Sequence, residues 1–209
     1  QMVWLDVDTK LRELTKNKRS LDDFAKAFFG MKDGDWKVNP YTFEDVASTL
    51  NGIAPYDWAT YLRDRIDGHK GDLEGIERGG WKLVYNDKPS DVVKAAEGRR
   101  HYTDLTYSAG FAVSSKGSIS DVLWDGPAFK AGLSPGMTVV AVNNKEFDGD
   151  TLKDAVTAAK TDKAPIELLV KNFDTYKTIK IDYHEGLKYP HLERDKGKPD
   201  WLSELYKAK

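Results

Sequence analysis

The 209-residue chain carries 32 lysines and arginines against 34 aspartates and glutamates, a formal net charge of −2, with 40% apolar and 32% charged residues. That balance supports a packed core in one large or two small domains, provides no global basic field for nucleic acid, and leaves every apolar run too short to cross a bilayer. Cysteine is absent, which excludes disulfides, thiol nucleophiles and cysteine-ligated zinc but leaves the compartment open.

The opening Gln1-Met2-Val3-Trp4 enters an apolar periodic pattern at once, which reads as a cut through a longer protein. Val3, Trp4, Val7, Leu11 and Leu14 recur at helical spacing. "RSLDDFAKAFFG" places Ser20 as N-cap with Asp23 three residues on, Leu21, Phe24 and Phe28 on one face, and Gly30 as the stop. "YTFEDVASTLNG" repeats the scheme with Thr42, Asp45, Val46 and Leu50, and "PYDWATYLRDRIDG" starts a further helix at Pro55. Residues 69–100 read as a connector: "GHKGDLEG" and "ERGG" as loops, "WKLVY" as a strand, and 90–100 as a short helix capped by Ser90.

From residue 101 the pattern changes to strands, at 105–114, 117–124, 138–144, 165–172 and 176–183, interrupted by helices at 127–132 and 150–160. Five strands and two helices in so short a span predict a small partly open barrel. "GPAFKAGLSPGMTVVAVNN" resembles the signature of PDZ domains in bacterial proteases. Pro127 suits a first helical turn, Ala128 and Ala131 allow close approach to a sheet, and Gly132 and Gly136 turn the chain. PDZ domains bind extended peptides by adding a strand to a sheet edge, and a loop of backbone amides holds the peptide's terminal carboxylate. The stretch that matches this loop is Ser108-Ala109-Gly110-Phe111, with Ala109 standing where a larger apolar residue is common. The resemblance implies a groove lined by Phe111 and Val113 on the strand side and by Leu152, Val156 and Ala159 on the helix side. The rival reading makes these residues ordinary core.

The likeness extends further. "VWLDVDTKLRELTKNKRSLDDFAKAFFG", "YTFEDVASTLNGIAPYDWATYLRDRIDG", "DVLWDGPAFKAGL", "IELLVK" and "DYHEGLKYPHLER" are similar, in this order, to glycyl aminopeptidases, zinc peptidases with a thermolysin-like catalytic domain. This implies a C-terminal piece of such an enzyme: the last helices of the catalytic domain (1–68), a connector (69–100), a PDZ domain (101–185) and a tail (186–209). In that tail Trp201, Leu202 and Leu205 form one face of a final helix that docks back on the body.

The family's zinc site uses His-Glu-x-x-His on a helix, and no such motif occurs here. The four histidines, His69, His101, His184 and His191, have no metal-site spacing, and Asp6 and Asp8, two apart on a helix, point to different sides as solvated or structural groups. No Gly-x-Ser-x-Gly elbow or phosphate-binding loop is present. The expectation is an α+β chain with no catalytic residue and no metal site of its own, zinc residing in the parent protein, and the catalytic domain and a peptide or protein C-terminus as partners rather than nucleic acid or membrane. The alternative is a PDZ domain used as a structural or interaction module with no peptide ligand. The resemblance also implies a periplasmic parent.

Overall fold

The computed structural model describes residues 2–30, 34, 36–68 and 73–207. His69 lies outside them. The chain divides into two compact units, Gln1–Leu83 together with Leu192–Lys209, and Val84–His191. It leaves the first unit inside strand β1 (Trp81–Asn86) and returns inside β9 (Tyr189–Arg194), and these two strands pair with each other.

The first unit is helical: α1 (Met2–Thr15), α2 (Leu21–Phe29), α3 (Phe43–Ile53), α4 (Trp58–Ile66), α5 (Glu74–Arg78) and, from the far end of the chain, α9 (Trp201–Leu205). Both capping boxes form. Ser20 and Thr42 accept amide hydrogens from the first turns of α2 and α3, and Asp23 and Asp45 accept from the amides of Ser20 and Thr42. The helix expected from Pro55 begins three residues later, because Asp57 supplies the cap, accepting from Thr60 N at 3.1 Å. Val7, Leu11, Phe24, Leu50, Trp58 and Leu62 form the core, and the Trp58 indole donates to Ala54 O at 2.8 Å. The segment read as a loop around Gly75 is the short helix α5. It lies so close to α1 that a Cβ on Gly75 would stand 2.7 Å from Asp6 Cα, so only glycine permits this packing. In α9, Trp201 and Leu202 are buried, and Glu204 accepts from Arg12 and Asn17 of the α1 end.

Asp6 and Asp8 point to different sides of α1, as their spacing requires, but neither is solvated: they are 3% and 1% exposed. Asp6 takes the guanidinium groups of Arg65 and Arg78 and the Tyr61 hydroxyl, the last two at 2.7 Å. Asp8 accepts from Arg12 Nε at 2.7 Å and from Leu21 N at 2.8 Å, which ties α1 to the start of α2. Sequence pattern placed these carboxylates correctly around the helix axis but could not show the arginines that bury them.

The second unit contains α6 (Asp91–Arg100), β2 (Tyr102–Leu105), β3 (Phe111–Ser114), β4 (Ile119–Val122), α7 (Pro127–Lys130), β5 (Thr138–Val142), β6 (Lys145–Glu146), α8 (Gly149–Asp162), β7 (Ile166–Asn172) and β8 (Thr175–Ile181). The strands do not make the expected barrel. They form two antiparallel sheets, β2-β3-β4 and β6-β5-β7-β8, neither of them closed. The two sheets meet at an isolated bridge, Ser118 to Thr138, flanked by backbone hydrogen bonds from Ile119 to Met137 and from Val139 to Gly117; β3 and β5 each carry a register shift against a neighbouring strand. Leu105, Ile119, Val139, Val142, Leu168 and Ile181 belong to the one buried cluster that the sheets and α8 enclose.

The Asp6 cluster yields the first prediction. Asp6→Asn leaves two guanidinium groups without their shared anion and is expected to lower unfolding stability by about 3 kcal/mol, measured by urea denaturation of the whole chain. An unchanged midpoint would show that the cluster is solvated enough to be dispensable.

Candidate functional site

The residues that sequence singled out come together in the second unit. Ser108, Ala109 and Gly110 form the turn that enters β3, Phe111 and Val113 lie on β3, and Leu152, Val156 and Ala159 lie along α8 at helical spacing; all of them are buried. Asp148 caps α8, accepting from the amides of Asp150 and Thr151. Gly110 has φ +89°, a left-handed conformation that glycine adopts without strain. Its carbonyl accepts from Leu123 N and that of Ala109 from Ala128 N, so the loop is pinned to β4 and α7 from behind. The Ser108 hydroxyl accepts from Lys188 N at 2.9 Å.

The strand read from sequence as 105–114 is in fact two strands and a turn. Asp104 Oδ1 accepts from Thr106 N at 3.0 Å and starts the reversal, and Gly110 completes it. The first strand, β2, runs antiparallel along β3, with Thr103 opposite Val113 and Leu105 opposite Phe111, while β4 pairs with the other edge. Both edges of β3 are therefore paired within the unit. The Leu105 carbonyl accepts from Ser108 N at 3.0 Å and from Gly110 N at 2.9 Å, and its side chain is fully buried in the same cluster as Phe111, Leu152 and Val156. At the other end of the strand, Thr103 abuts the first residue of α8: a Cβ on Gly149 would collide with the Thr103 hydroxyl. An extended segment thus lies on β3, ends in an amide loop and touches the start of α8.

This segment is held from outside by α6, whose Glu97 accepts from Asp104 N through one oxygen and pairs with Lys153 Nζ of α8 through the other, each at 2.8 Å. Tyr189, whose buried hydroxyl has no hydrogen-bond partner among the described residues, has its phenol pushed up to about 12 by burial and then by the charges of Glu97 and Asp104. Burial and then Glu185 raise the Tyr183 phenol to about 12 as well, and its hydroxyl donates to Gly186 O.

His184 and His191 make backbone and carboxylate contacts. His184 lies 3.0 Å from Ala159 O and 2.6 Å from Asp182, His191 lies 2.7 Å from Lys88 O, and His101 ends α6 in a left-handed conformation. Among the described residues no three His, Asp or Glu side chains gather where they could hold a metal ion, and no helix is long and apolar enough to cross a membrane. Two clefts of about 400 and 290 Å³ open in the first unit, and Glu74 and Arg78, which line both, are already engaged in ion pairs.

No family model and no curated protein matches the chain. Among solved structures, its fold is similar to that of an aminopeptidase N family protein from Idiomarina loihiensis, at 17% identity and a TM-score of 0.59, over 96% of this chain and 35% of that one. The chain thus spans about a third of that relative's length, and the likeness at this identity is one of fold. An HtrA3 PDZ domain bound to a phage-derived ligand (14% identity, TM-score 0.27, 56% of this chain and 95% of that) and a photosystem II C-terminal processing protease (14%, 0.28, 88% and 44%) also match, at scores too low to bear on the fold.

A phenol whose pKa is raised by folding contributes stability that is whole below its ordinary pKa of about 10 and is lost as pH rises through the folded value. Tyr183 and Tyr189 place that loss between pH 10 and about 12. The denaturation midpoint is expected to fall across this window, with tyrosinate absorbance rising together with loss of circular dichroism. Full tyrosinate absorbance in a chain that keeps its dichroism would contradict the assignment.

Proposed function

We propose that this chain is the C-terminal region of a zinc-dependent aminopeptidase of the glycyl aminopeptidase type, and that its second unit is a PDZ-type module that recognises peptide by strand addition for a catalytic site carried elsewhere in the parent. The observation that carries the reading is the way the groove holds an extended segment. Its main chain lies on β3, its last carbonyl sits in the amides of Ser108 and Gly110, and its last side chain is buried in the cluster that contains Leu152 and Val156. Strand addition with an amide nest at one end is a recurring mode of peptide recognition. The fold likeness to an aminopeptidase N family protein over 96% of the chain supports the peptidase context.

The same proposal assigns the zinc, and the chemistry it supplies, to the parent's catalytic domain, on the family resemblance. The parent's preference for N-terminal glycine and its periplasmic location are part of the same proposal and come from family resemblance. A second reading, the unit as a structural or interaction module, is favoured by one observation: β2 already pairs with the edge of β3 that a peptide would use.

The two readings part in an NMR titration of the chain with short apolar-ended peptides, as free acids and as C-terminal amides. Recognition predicts shifts at Ala109–Val113 and Leu152–Val156 with the acid alone. No shift with either form, across several sequences, would favour the structural role.

A further inference from the structure

The sheet β6-β5-β7-β8 ends on an open strand, and the residues along that strand select what can lie against it. We infer that β8 pairs with β8 of a second copy of this chain, antiparallel about a two-fold axis at Thr178, with Phe173 extending the contact beyond the strand.

The main-chain bonds of an antiparallel strand alternate between its two sides. The hairpin closes with Asn172 opposite Thr175, so the odd-numbered residues of β8 bond to β7, and Tyr176, Thr178 and Lys180 turn their amides and carbonyls outward. Among the described residues no other main-chain group bonds to these three. Their side chains are exposed on one face of the sheet, and Ile179 and Ile181 are buried on the other. An edge of this kind is a template for a further strand.

The lysines of β8 restrict the register, because like charges directly opposite each other are unfavourable. An axis at Lys177 or at Lys180 would set that lysine against its own copy. An axis at Thr178 sets Thr178 against Thr178, Lys177 against Ile179 and Lys180 against Tyr176, and it pairs every outward residue within the strand. Lys180 meets Glu167 of its own chain at 2.6 Å, and Lys171 Nζ lies 5.9 Å from the centre of the Tyr176 ring. Pairing in this register brings a second ammonium group, Lys180 of the other copy, to the same ring, a favourable contact for the negative face of an aromatic.

Phe173 is an independent observation at the end of the same edge. It is 91% exposed and has φ +55° at the first of the two turn residues between β7 and β8, where such turns take glycine or asparagine. A bulky side chain is strained in that conformation, and strain of this sort gathers at sites that hold a ligand or switch. In the Thr178 register the ring lies alongside the segment that follows β8 in the second copy, which removes it from water.

The test is sedimentation equilibrium of the full chain between about 1 μM and about 1 mM, with Thr178→Lys, Thr178→Asp and Phe173→Asn, thermal melts establishing that each variant is folded. The mass of the wild type is expected to rise from one chain toward two. Either Thr178 variant alone meets its own charge at the axis and is expected to weaken association about fivefold, and an equimolar mixture of the two is expected to restore it. Phe173→Asn is expected to weaken association about fivefold while raising the melting temperature, since asparagine accepts the turn conformation. A single chain at every concentration would overturn the inference. So would association that neither Thr178 variant weakens, or that their mixture fails to restore.

Discussion

The second unit depends on one short stretch of main-chain pairing, the antiparallel contact of Tyr102–Leu105 with Phe111–Ser114. An unpaired strand edge exposes a row of donors and acceptors and invites association. Here β3 would have such an edge facing α8, lined by Phe111 and Val113. The chain resolves this by folding the residues just before the loop back over it. The turn that makes this possible needs Asp104 to bind the Thr106 amide and Gly110 to take positive φ. Sheet and loop are therefore consequences of the same reversal.

The first unit rests on a different kind of constraint. Asp6 and Asp8 are nearly removed from water, and each is compensated by arginine and by hydrogen-bond donors. Buried ion pairs of this sort add little net stability, yet losing one partner is costly. They fix the neighbours of α1: Arg65 from α4 and Arg78 from α5 on one side, the start of α2 on the other. The close approach of Gly75 to the α1 backbone gives the same arrangement a steric condition.

What could be read from sequence was local. Ser20 with Asp23, Thr42 with Asp45, and Ser90 are caps whose partners lie within three residues, and all three form. The turn with Gly110 at positive φ and the buried stripe on α8 were legible for the same reason. β2 was not: four residues with an aspartate among them carry too little alternation to mark a strand, and its conformation is set by β3. Helix α5 was hidden by the glycine that lets it pack on α1. The arginines that bury Asp6 lie 59 and 72 positions away, beyond any spacing rule. The place of β2 belongs to this class, since it depends on contacts with β3 and α6.

The return of the chain to the first unit through β9 has a bearing on synthesis. Glu204, which closes on Arg12, lies 192 positions after it, and α9 emerges only when the whole of the second unit has been made. Domains tend to fold as units while the chain is still growing. The second unit is continuous in sequence and can close as soon as it clears the ribosome. The first must keep its early helices waiting for α9, so a truncation that spares the whole of the second unit would still leave the helical unit unfinished.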